Sequence, residues 1–106
     1  MNSRVTIALS LLAQPDPVPA GCKDQQEFLS RCVARACDVV NALVILRRFE
    51  GRTIAINPEA RYVVEEVTRH EIVARDPNTR RQKVLRIDGR QIPKLSQLLT
   101  SAETTR

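Results

Sequence analysis

Read from the amino terminus, Val5, Ile7, Leu9 and Leu11 alternate with Thr6, Ala8 and Ser10. That period of two predicts a strand or arm within residues 1–13, with one face of small residues. Gln14-Pro15-Asp16-Pro17-Val18-Pro19 follows; its prolines fix φ and withhold backbone donors, so residues 14–22 form a stiff connector. Asp24 then supplies an N-cap, with Glu27 three residues on to complete a capping box. From there Phe28, Leu29, Cys32, Val33, Ala36, Val39, Val40 and Leu43 recur at helical spacing and predict one long amphipathic helix. Its opposite face, with Gln26, Ser30, Arg31, Arg35 and Asp38, reads as simply solvated.

Residues 39–46 form a nearly continuous apolar run that periodicity alone does not assign. β-branching favours ending the helix near Asn41, so that residues 43–49 make a strand, Glu50-Gly51 a tight turn, and residues 52–56 the returning strand. The alternative keeps the helix to Arg48, with Gly51 just past its C-terminus. Asn57-Pro58 breaks the pattern, and Tyr62-Val63-Val64-Glu65-Glu66-Val67 and Glu71-Ile72-Val73-Ala74-Arg75 are further strands. Asp76-Pro77-Asn78-Thr79 has turn chemistry, so residues 71–75 should pair with Gln82-Lys83-Val84-Leu85-Arg86-Ile87 as a hairpin. After Pro93 a short helix runs through Leu95, Leu98 and Leu99, and residues 101–106 read as a frayed tail. The sum is one α+β domain over residues 1–106: a long amphipathic helix packed on an antiparallel β-meander of four to five strands, with a short C-terminal helix. Residues 23–100 form its core.

The stretch Ile45-Leu46-Arg47-Arg48-Phe49-Glu50-Gly51-Arg52-Thr53-Ile54-Ala55-Ile56-Asn57-Pro58, with Val63-Val64-Glu65-Glu66-Val67 after it, resembles the small FlbD-type flagellar proteins. They are short β-rich chains with a similar Gly turn, apolar-Asn-Pro step and Glu-Glu strand. The resemblance covers under half of the chain and implies a meander there. The Gly of that family's next hairpin is replaced by Asp76-Pro77-Asn78-Thr79, and no functional residue carries over.

Charge changes the picture more than composition does. Between Arg69 and Lys94 lie eight bases and three acids, which accounts for the whole net charge of +5. The predicted hairpin therefore carries it, and Arg75, Arg80, Arg81, Lys83 and Arg86 are the candidate contacts for an anionic partner, either nucleic acid or an acidic protein. A two-stranded ribbon can enter a DNA major groove. No aromatic residue follows Tyr62, which disfavours a single-strand stacking platform and leaves duplex DNA or structured RNA. The competing reading is an assembly module: residues 5–12 or the apolar helix face would join a second copy, and the bases would be only a solvated face.

Other chemistry is hard to build from these residues. Cys22, Cys32, Cys37 and His70 are the only soft or imidazole ligands, and they lack the close Cys pairs of structural zinc. Catalysis by a nucleophile and imidazole would have to pass through His70 alone. Glu65 and Glu66 are adjacent in a strand and leave by opposite faces. No glycine spacing fits a phosphate loop. The expectation is a binding or regulatory module, not an enzyme, with no metal and no cofactor. Three cysteines, an odd number, point to a reducing compartment and hence the cytoplasm. Arg4, the apolar run after it and Val18-Pro19-Ala20 imitate a cleaved signal, which competes with the strand reading. No run reaches the roughly 20 apolar residues of a membrane span.

Overall fold

The computed structural model describes residues 3–104, with side chains through residue 102. Three helices and four strands follow in the order α1 (Ser3–Ala13), α2 (Gln25–Leu46), β1 (Thr53–Ala55), β2 (Arg61–Val67), β3 (Glu71–Arg75), β4 (Gln82–Arg86) and α3 (Ile92–Thr104). The strands pair in sequence order as an antiparallel meander, so β1 and β4 are its edges. Its class, α+β, is the one expected. Among the described residues no helix is long and apolar enough to cross a membrane.

Residues 5–12 are not a strand. They belong to α1, because the same segment also satisfies the helical period: Val5, Ala8, Leu9 and Leu12 fall on one face and are all buried. Both periods fit so short a run, and the one that buries a stripe against two other helices prevails. Thr6 Oγ1 and Ser96 Oγ, 2.6 Å apart, tie α1 to α3.

The start of α2 is as expected. Asp24 Oδ1 accepts from the Glu27 amide at 2.8 Å, while the Glu27 carboxylate accepts from the Lys23 amide at 2.8 Å. That bond, with Arg31 beside it, holds the Glu27 carboxyl below its usual range. The end of α2 differs from the favoured reading. Residues 43–46 stay helical and Arg47–Phe49 tightens into a 3₁₀ turn, because Ala42, Leu46 and Phe49 bury themselves in the common core. Gly51, at φ 88, then reverses the chain. β1 consequently pairs with β2 (Thr53↔Val63, Ile54↔Tyr62) instead of returning along residues 43–49. Asn57 Oδ1 holds the connecting loop by accepting from the amides of Glu59 and Ala60.

Residues 101–104 are not a frayed tail either, since Ala102 is buried and continues the stripe begun by Leu95 and Leu99. Residues 105 and 106 lie outside the described residues. The core is one cluster in which Val5, Leu9 and Leu12 of α1 meet Leu46, Phe49, Ile54, Val64, Val67, Ile72, Leu95 and Leu99. α2 lies chiefly along α1 and joins the meander through its C-terminal turn.

Arg35 departs furthest from the expectation of a solvated face. Its side chain is buried and donates to the carbonyls of Leu11, Leu12 (3.2 Å) and Gln14 (2.7 Å). These are the open acceptors at the C-terminal end of α1, where a cation also opposes the negative end of the helix dipole. Asp16 lies between Arg35, at 3.4 Å, and Arg69. The Arg69 guanidinium, with Arg35 behind it, holds the Asp16 carboxyl below its ordinary 3.8. A carboxyl depressed in the folded state contributes stability above its unfolded pKa and loses it as pH falls through the folded value. Asp16→Asn should therefore be less stable than the parent at about pH 6, and the gap should be narrower at about pH 3, below the ordinary carboxylate value. Urea unfolding at the two pH values measures it; a gap equally wide in acid would contradict the linkage.

Candidate anion-binding hairpin

The basic hairpin forms where the sequence puts it. β3 and β4 pair as Glu71↔Arg86, Ile72↔Leu85, Val73↔Val84, Ala74↔Lys83 and Arg75↔Gln82. Their turn is closed by Asp76 N to Arg81 O and Arg80 N to Asp76 O, both 2.8 Å. Asp76 Oδ1 accepts from the amides of Asn78 (2.8 Å) and Thr79 (3.2 Å), the local bonding that makes Asp a turn residue. Those bonds, the Asn78 one first, keep the Asp76 carboxyl ionised to below its usual range. The turn thus carries one fixed negative charge amid its cations. Arg80 occupies the left-handed region at φ 62, the conformation a glycine would take more readily.

The five candidate residues divide into groups. Arg75 is committed: its Nε donates to Glu65 at 3.1 Å and its Nη1 to the Arg80 carbonyl at 2.6 Å. It braces the turn and has little left for a partner. Glu65 sits in a β2 bulge between Val64 and Glu66, and a bulge of this kind leaves no mark in the hydrophobic pattern. Arg80, Arg81, Lys83 and Arg86 are all exposed. Among the described residues, none of these four makes an ion pair. Lys83 stands beside Ala74, on the sheet face that also holds the buried Ile72. Arg86 stands beside Glu71 on the opposite face, where acid and base offset each other. The densest unpaired charge is therefore the Arg80, Arg81 and Lys83 group at the turn.

Elsewhere the structure separates the remaining polar candidates. Cys22 and Cys32 are half-buried and Cys37 is exposed, all as free thiols. Among the described residues no three His, Cys, Asp or Glu side chains gather as a metal group. His70 is exposed, and its carbonyl accepts from the Ile87 amide at 2.8 Å. Arg69, at the start of the basic run, is held by Asp16. No protein-family model matches the chain, nor does any curated protein or solved structure, so its likeness to the FlbD-type proteins rests on the quoted residues alone.

Proposed function

We propose that the chain is a small non-enzymatic binding or regulatory module that contacts an anionic partner, nucleic acid first, through the β3–β4 turn. One observation carries this reading: Arg80, Arg81 and Lys83 lie within four residues of one another, exposed and without ion pairs among the described residues. Backbone phosphates need such unpaired donors, and they need no reading of base edges. Arg86 is a flanking contact, weakened by Glu71, and Arg75 supports the turn from within. The three free thiols suit a reducing compartment such as the cytoplasm.

An electrophoretic titration against random-sequence duplex tests it. With about three phosphates neutralised, affinity should fall about 40-fold between roughly 50 and 200 mM salt, by counterion release. Arg80, Arg81 and Lys83→Ala together should remove most of the affinity and flatten the salt dependence. Binding that ignores salt, or that survives the triple substitution, would exclude the hairpin as the contact.

A further inference from the structure

α2 has three faces, and one of them is unexplained by the fold. Its body side presents Arg35, Ala42 and Leu46, all buried. Its solvated side carries Ser30, Ala34 and Asn41, all exposed, while Glu27, Arg31 and Asp38 flank the body side. A third line holds Leu29, Val33, Val40 and Val44, which are 54%, 65%, 59% and 59% exposed, with exposed Ala36 and Cys37 between them. By the 100° step of an α-helix these six positions stay within about 50° of one line, which runs for roughly 22 Å. No charged residue interrupts it. Single exposed apolar residues are ordinary, but a contiguous charge-free stripe on a helix that has a proper solvated face elsewhere marks a contact surface.

From this stripe we infer that its occupant is a second copy of the chain, packed antiparallel across a two-fold axis between Ala36 and Cys37. The stripe reads the same from either end. Leu29 and Val44 are equidistant from that point, and so are Val33 and Val40, so antiparallel packing sets large side chains against large ones. It also leaves Ala36 and Cys37, the small pair, where the helices come closest. An isologous interface requires this self-match.

Charge selects the direction. Arg47 and Arg48 are exposed just past the C-terminal end of the stripe. Antiparallel packing keeps the two Arg pairs at opposite ends of the interface, whereas parallel packing gathers four guanidinium groups. The area fits as well. Each copy offers roughly 400–500 Å² of apolar surface, so a dimer would bury on the order of 1,000 Å², the lower edge of stable interfaces. Beside the stripe, Ala36 and Val40 also line a cleft of about 460 Å³ with Pro17, Val39 and Arg69. Val33 of the second copy, set against Val40, is the side chain that would enter it. This inference is independent of whether the hairpin binds anions.

Sedimentation of the full chain at tens of micromolar should give twice the 12.0 kDa chain mass. Val33→Asp with Val40→Asp should return it to 12.0 kDa with an unchanged circular dichroism spectrum. Orientation is read in a background of Cys22, Cys32 and Cys37→Ser. Leu29→Cys mixed with Val44→Cys should form a disulfide-linked dimer when diamide takes up the two thiol hydrogens, while either variant alone should not. A parent that stays monomeric overturns the proposal, as does Leu29→Cys linking to itself.

Discussion

Arg35→Ala is expected to destabilise the fold by about 3–4 kcal/mol, although Arg35 sits among positions whose pattern reads as solvent-facing. Truncation leaves the Leu11, Leu12 and Gln14 carbonyls without the donor that now serves them, and each buried unsatisfied group costs about 1–3 kcal/mol. It also leaves Asp16 with one cation instead of two. Part of the loss is regained when the end of α1 opens to water, which keeps the total below the sum. Against a typical stability of about 5–15 kcal/mol this is a large fraction. Arg35→Lys should recover less than half, because an ammonium on a flexible stem cannot present the guanidinium fork to several carbonyls at once. Arg31→Ala serves as the control: its pair with Glu27 is exposed and should matter by about 0.5 kcal/mol or less. Urea midpoints at constant slope measure all three, and an Arg35→Ala midpoint equal to that of Arg31→Ala would refute the clamp.

Leu46→Ala should cost about 3–5 kcal/mol, whereas Val44→Ala, two residues earlier, should shift the stability of dilute protein by no more than about 0.5 kcal/mol. Both lie in the same apolar run, and hydropathy treats them alike. Leu46 is fully buried where α1, α2 and the meander meet, so its loss opens a cavity; Val44 is 59% exposed. Alanine is also the better helix former at an exposed site. Equal destabilisation by the two substitutions would mean that the exposed line on α2 is covered within the monomer.

What the sequence disclosed follows from how local each determinant is. The Asp24 cap, the Asp76 turn and the β3–β4 pairing depend on residues within a few positions of one another, and all are present as expected. The first helix was hidden because residues 5–12 fit two periods at once, and only contacts with α2 and α3 decide between them. The apolar series from Phe28 to Leu43 reads as one face. In the fold it is divided between the body and the exposed line, since periodicity reports that a face is apolar and not what covers it. The burial of Arg35 and the pairing of Arg75 escape the pattern for a related reason: their partners, the end of α1 and Glu65, are ten to twenty-four residues away in sequence. The candidate site was thus legible as a location, the hairpin, and not as a set of available donors.

The rims of the meander bear on how this protein behaves when concentrated. β1 has only three residues, and β4 ends the other side with Lys83 and Arg86 pointing to opposite faces. Neither offers a long uncharged row of amides for an incoming strand to zip onto, so open-ended stacking into fibrils is resisted from both directions. Under the two-fold pairing of α2 proposed above, self-recognition closes at two copies instead.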